Sequence, residues 1–295
     1  MEIKKLATEQ RNQNSMNIDQ LSTIEMVKVI NNEDQQVATA VELELPNVAK
    51  AIDLAAARFL DGGRLIYIGA GTSGRTGSLD AIELTPTYSV PPERAFGILA
   101  GGKEAMFTVA EGAEDSKELA IDDLKKVDLK PVDIVVALAA SGRTPYAIAA
   151  LEYAKEVGAL AIAISCTHDN EMSKIADVAI TPIVGPEVIT GSTRMKAGTA
   201  QKLVANMLST GIMIKSGNVY QNLMVNVQAT NVKLVQRSIN IIAQALSIDT
   251  VAAEALFVAA NERINVAIVM HKYSLTASEA EEFLADNGNK INKIN

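Results

Sequence analysis

Five short apolar runs, each about the length of one strand, recur along this chain: RLIYIGA (64–70), RAFGILA (94–100), DIVVALAA (133–140), ALAIAIS (159–165) and VAITPIV (178–184). Segments of helix length separate most of them, residues 145–158 being the clearest. Runs that are apolar throughout suit strands buried on both faces, and their alternation with helices restricts the fold to right-handed βαβ crossovers on a parallel sheet. The composition suits that architecture. Aromatics make up only 4% of a chain that is 48% hydrophobic, and Trp is absent, so Ala, Val, Ile and Leu must fill a closely packed helix-on-sheet core. Ligands in such folds bind beyond the carboxyl ends of the strands.

The flanks read as helical. Ile18, Leu21, Ile24, Val27 and Ile30 form one helical stripe, and a second pattern from about Glu33 to Leu60 stops at Asp61-Gly62-Gly63. Farther on, Leu203, Val204, Met207, Leu208 and Ile212 share a face, predicting a helix over 193–215. Val225, Val232, Val235, Ile239, Ile242 and Leu246 step at heptad-like spacing, which fits either a core stripe or a dimer seam. The expected division is a helical segment over 1–60, an α/β domain over 61–220, a long helix over 221–247 and a small helical subdomain over 248–295.

Several function classes fall away on charge and residue usage. A net charge of −8 argues against general affinity for nucleic acid or an anionic membrane. No apolar run approaches the ~20 residues of a membrane span, and no apolar leader follows MEIKK. The single Cys166 excludes an intrachain disulfide and fits a reducing cytoplasm; at the end of an apolar run it reads as a buried core thiol. His168 and His271 lack metal-ligand spacing, so no metal is expected.

Three loops carry the chemistry. GPEVITGSTRMKAGTAQK (185–202) packs Gly, Ser192, Thr193, Arg194 and Lys196 into the start of the 193–215 helix. Unpaired amides and the helix dipole make such a start attractive to anions. GAGTSGR (69–75) and ASGRTP (140–145) each follow a strand candidate and offer Thr72, Ser73, Ser141 and Thr144, with Arg75 and Arg143 as local positive charge. One such loop alone is an ordinary glycine-rich turn or helix cap. GAGTSG has dinucleotide-type spacing, but no acidic residue closes the next strand, and no Gly-Lys-Ser/Thr of a P-loop follows. Three loops together point to a phosphorylated small molecule. Among carboxylates, Glu83 and Glu114 compete with Asp80, Glu93, Glu111 and Asp115, and spacing does not choose between them.

Paired serine-bearing loops on a parallel sheet resemble the sugar isomerase (SIS) domain. More specifically, LATEQRN (6–12), GGRLIYIGAGTSGRTGSLDAIE (62–83), PPERAFGILAGG (91–102), AEGAED (110–115), ASGRTP and the 185–202 segment resemble the N-acetylmuramic acid 6-phosphate etherase family. The last segment also resembles the glucokinase regulatory proteins. The resemblance implies an SIS-type, Rossmann-like three-layer α/β fold with N-terminal helices and a small helical C-terminal end. It implies a homodimeric lyase, needing no cofactor, that releases D-lactate from a sugar-phosphate substrate with its active site near the dimer interface. By motif it implies Glu83 and Glu114 as the two catalytic carboxylates; for the elimination we assign Glu83 as the acid that protonates lactate and Glu114 as the base at C2. Thr72, Ser73, Ser141, Thr144, Ser192, Thr193 and Lys196 would then bind substrate, although Lys196 and Arg194 also suit a structural role in their loop. Leu84-Thr85-Pro86 departs from a Cys-Pro-Pro-like segment beside Glu83. A non-catalytic sugar-phosphate sensor and an aldose–ketose isomerase are the alternatives. A transcriptional regulator would need a basic N-terminal helix-turn-helix, and the first 60 residues carry no basic cluster.

Overall fold

The computed structural model describes residues 7–229 and 231–293. Strands β1 (Leu65–Gly69), β2 (Ala95–Leu99), β3 (Ile134–Leu138), β4 (Leu160–Ile164) and β5 (Val178–Ile180) form one sheet in the order β2-β1-β3-β4-β5. Every pairing is parallel, with Gly69 opposite Leu99 on one side and Leu138 on the other. Helices α1 (Thr23–Glu42), α2 (Leu45–Leu60), α3 (Gly71–Tyr88), α4 (Lys117–Lys126), α5 (Pro145–Val157), α6 (Glu171–Ile175) and α7 (Lys196–Lys215) accompany it. The five strands fall on the five apolar runs because β1, β3 and β4 are buried along their whole length.

On one face Ile66, Ile68, Val135 and Ala161 pack with Leu124, Ala147, Ala150, Leu151 and Ala154. Alanines bring α5 close to the sheet, while each fully buried Leu or Ile contributes about 1.5–3 kcal/mol. Tyr67 Oη donates to Asp80 Oδ2 at 2.9 Å, and Lys202 Nζ lies 3.2 Å from Asp80 Oδ1, tying β1, α3 and α7 together.

The N-terminal helices break at a different place from the sequence expectation. Helix α1 runs through Glu33 and ends at Glu42, and Pro46 opens α2. Proline lacks an N–H and suits the first helical turn, so it sets the boundary that the apolar stripe did not.

Two compact units emerge: residues up to Ala81 with Glu93–Ser209, and Ile82–Pro92 with residues from Thr210 onward. The second unit holds a small hairpin, β6 (Val219–Tyr220) and β7 (Leu223–Met224), and helices α8 (Val232–Leu246), α9 (Thr250–Ala259), α10 (Ile264–Tyr273) and α11 (Ala277–Asp286). Its core is Val225, Ile239, Ile242, Phe257, Ile264, Ile268 and Leu284. The heptad-like stripe is thus core at Val225, Ile239 and Ile242, whereas Val232 is 88% exposed. Residues 221–247 and 248–295 share this one core. Among the described residues no single helix is long and apolar enough to cross a membrane.

Candidate active site

Order β2-β1-β3 makes the β1/β3 boundary the point where the chain winds in opposite directions, and crevices open there beyond the strand ends. The loops after β1 and β3 are therefore side by side. Between them lies a cavity of about 400 Å³, within the range of small-molecule sites, with Thr72, Ser73, Glu114, Ser141, Thr144 and Thr193 in its wall.

The first loop turns through Gly71, whose φ of +52° an L side chain rarely adopts, and delivers Thr72 and Ser73 to the opening turn of α3. Ser73 Oγ is 2.9 Å from Gln201 Oε1, to which it donates. The second loop turns through Gly142, φ +65°, where a Cβ would collide with Asn170. Asn170 is itself fixed, donating from Nδ2 to Ser165 Oγ at 2.9 Å and Thr167 O at 2.7 Å. Ser141 Oγ accepts from Arg143 N at 3.3 Å. Thr144 is the N-cap residue of α5, yet its side chain makes no capping hydrogen bond. That observation weakens the reading of this loop as a mere helix cap. Arg143 brings positive charge to the cavity wall.

The third loop behaves differently. Gly191 and Thr193 reach the cavity, and Ser192 and Lys196 are not part of its wall. The start of α7 already holds an anion: Glu187, fully buried, accepts from Lys196 N and Ala197 N at 2.9 Å each. Lys196 Nζ turns inward to Glu33 Oε2 at 2.6 Å. Asn12 and Asn14 also donate to Glu33, each at 2.7 Å. At this helix start the protein's own carboxylate occupies the amides of Lys196 and Ala197, and Glu33 holds the Lys196 ammonium, while Thr193 of the same loop reaches the cavity.

Glu114 sits in a 3-10 turn, Ala113–Asp115, and with Asp115 faces the cavity. Arg75 straps the preceding segment to α3: its guanidinium donates to the carbonyls of Ala105 at 3.0 Å, Met106 at 3.2 Å and Thr108 at 2.9 Å. Glu83 is exposed and lies outside the cavity wall. It follows Ser73 by ten residues of α3, about 15 Å of helix rise. Leu79 and Ile82, on the same side of α3 as Glu83, are 49% and 59% exposed. Of the competing carboxylates, Asp80 is buried against Tyr67 and Lys202. Thr8 and Glu9 also line the cavity. Chemical reasoning on the sequence gave them no role, and only their place in the LATEQRN match could have drawn attention to them.

Residues 47–155 match the glucokinase regulatory protein N-terminal SIS domain, and residues 109–210 match the SIS domain. N-acetylmuramic acid 6-phosphate etherase 1 of Enterococcus faecalis is 59% identical over 294 residues, covering 100% of this chain and 98% of that protein. The chain belongs to the N-acetylmuramic acid 6-phosphate etherase family. The etherase of Lactobacillus gasseri is 55% identical, with both chains covered in full. A solved putative phosphosugar isomerase involved in capsule formation, from Bacteroides fragilis, superposes with a TM-score of 0.51. At 19% identity over 67% of this chain and 94% of that one, the likeness shows the SIS fold alone.

Proposed function

We propose that this enzyme cleaves the D-lactyl ether of N-acetylmuramic acid 6-phosphate, giving N-acetylglucosamine 6-phosphate and D-lactate. The observation that carries the reading is one cavity lined both by hydroxyl-bearing loops at the starts of α3 and α5 and by Glu114. Thr72, Ser73, Ser141, Thr144 and Thr193 hold the phosphate, so that binding energy at the non-reacting end orients the C2–C3 bond. Ser192 and Lys196 build the loop that presents Thr193.

In the open-chain sugar C1 is an aldehyde, which acidifies the C2 proton, and lactate stands at the β position. Glu114 removes the C2 proton. The electron pair forms the C2=C3 bond as the C3–O bond breaks, and Glu83 protonates the departing lactate. Water then adds at C3 and a proton returns to C2, so the net change is one water consumed. General acid–base catalysis by two carboxyl groups suffices for this sequence.

Both carboxyls must approach the same C2–C3 bond, and about 15 Å of helix rise separates Glu83 from the phosphate loop of its own chain. A homodimer resolves this if Glu83 of a second copy joins the cavity. The exposed Leu79 and Ile82 beside Glu83 suit burial against that copy. A cytoplasmic setting accords with a single, buried cysteine.

The test is incubation with N-acetylmuramic acid 6-phosphate in heavy water, with lactate release and deuterium at C2 as readouts; both are expected. Binding with neither signal would favour a sensor, and a converted sugar phosphate without lactate would favour an isomerase. Glu83→Gln and Glu114→Gln should each abolish turnover without unfolding the protein. An equal mixture of the two variants should regain about a quarter of wild-type activity, because half the dimers are mixed and each has one intact site of two. An inactive mixture would place both carboxyls in one chain.

A further inference from the structure

The segment from Thr8 to Ser15 lies outside the sheet and the long helices, yet it is fastened to the loop before α7. Asn12 Nδ2 donates to Pro186 O at 3.1 Å, and Ser15 Oγ donates to Val188 O at 2.7 Å. Asn12 and Asn14 reach the Glu33 carboxylate that also holds Lys196. A Cβ placed on Gly191 would stand 3.6 Å from Glu9 Oε2, so the Glu9 carboxylate lies beside the tip of that loop. This fastening sets Thr8 in the cavity wall with Thr72, Ser73 and Thr193.

Thr8 is 1% exposed, and its Oγ1 is buried without a hydrogen-bond partner. Such an atom is rare in a folded protein, since a buried hydroxyl without a partner loses its water bonds and gains nothing in return. The neighbour of Ser73 shows the same deficit: Gln201 Nε2 is also buried and unpartnered. Thr8 is in the cavity wall, and its unsatisfied hydroxyl is accounted for if a polar ligand supplies the missing partner; Gln201 reaches the cavity only through Ser73, which donates to it. A hydroxyl both donates and accepts, so it suits a phosphoryl oxygen and a sugar hydroxyl alike.

We propose that Thr8 is a substrate-binding residue of this site, its hydroxyl hydrogen-bonding an oxygen of the bound sugar phosphate and the fastened N-terminal segment serving as one wall. The inference rests on the sugar-phosphate reading given above.

Thr8→Val tests it, because valine keeps the shape and removes only the hydroxyl. The unliganded melting temperature should stay the same or rise, since an unpaired polar atom leaves the interior. The KM for lactate release should rise about tenfold, and kcat should change less than about twofold. Thr8→Ser should restore KM to within about threefold of wild type. Competitive inhibition by inorganic phosphate identifies the oxygen: a Ki that rises with KM marks the phosphoryl group, and an unchanged Ki marks the sugar. An unaltered KM in Thr8→Val, above all with a lower melting temperature, would overturn the inference and leave a packing role. Wild-type protein that releases no lactate would overturn the underlying reading instead.

Discussion

Replacing Lys196 with methionine keeps the aliphatic stem and deletes the ammonium. That ammonium stands 2.6 Å from Glu33 Oε2, with side-chain exposures of 1% and 5% for the pair. The variant therefore leaves a buried carboxylate with Asn12 and Asn14 as its remaining donors. Stranding one half of a buried pair costs about 3–5 kcal/mol, and the two amide bonds place this case near the lower end, about 3 kcal/mol. At 2–4 °C per kcal/mol for a chain of this size, the melting temperature should fall by roughly 6–12 °C. Lys196→Met combined with Glu33→Gln removes both charges and should recover about half of the loss, a coupling that a double-mutant cycle measures. The pH dependence has a definite sign. Burial pushes the Glu33 carboxyl upward, but hydrogen bonds from Lys196, Asn14 and Asn12 outweigh it and hold the group below its ordinary range. A depressed carboxyl adds stability that is complete above its unfolded value, near ~4.3, and is lost as pH falls through the folded value. The gap in melting temperature between wild type and Lys196→Met should therefore narrow between about pH 5 and pH 3. Steady-state lactate release, measured below both transitions, should give a KM within about twofold of wild type. A variant with an intact melting temperature and a tenfold higher KM would refute the reasoning, because the ammonium would then face the ligand.

Arg75→Lys keeps the charge but replaces a planar donor that bridges the carbonyls of Ala105, Met106 and Thr108. Loosening the segment that leads to Glu114 should lower kcat about tenfold with KM little changed, and a pure KM effect in steady-state kinetics would place Arg75 on the ligand instead. Cys166 is buried, and burial, aided by the charge of Glu187, pushes its thiol up to about 12. An alkylating reagent near pH 8 should leave the native protein unmodified and label the cysteine after denaturation; rapid native labelling, read by mass spectrometry, would contradict this.

The strands were legible because burial on both faces leaves a continuous apolar run, and β1, β3 and β4 each fall inside one. The chemistry of the loops at 69–75 and 140–145 was legible for a similar reason: glycine and hydroxyl residues at a strand-to-helix turn act locally. Strand order was not. Nothing in the residues states that β3 pairs with β1, and that pairing alone sets the two loops around one cavity. The stripe at Ile18–Ile30 marked a helix but not its bounds: Ile18 lies in a separate 3-10 turn, and a capping box at Ser22 starts α1 at Thr23. Partners far along the chain were equally hidden, as Lys196 and Glu33 show at a separation of 163 residues.

The 185–202 loop was only partly legible, for a more instructive reason. Serine, threonine, lysine and a helix start mark groups that can hold an anion, but they do not say which anion. Neither GAGTSGR nor ASGRTP contains an acidic residue, so neither loop brings a carboxylate of its own to its helix start. The third loop brings its own, Glu187, nine residues before Lys196. A helix start whose loop supplies a buried carboxylate is already satisfied, and that acid was visible in the sequence. Glu187→Gln puts the point to a test. The amide keeps one oxygen acceptor for two helix N–H groups and turns an NH₂ toward the other. The change should destabilise the protein by about 1–3 kcal/mol in thermal or urea unfolding. Inhibition of lactate release by inorganic phosphate should be unchanged, since the phosphate loops at α3 and α5 are untouched. Tighter inhibition than in wild type would mean that the amides at the start of α7 hold phosphate once their own carboxylate is removed, adding to what Thr193 of this loop contributes.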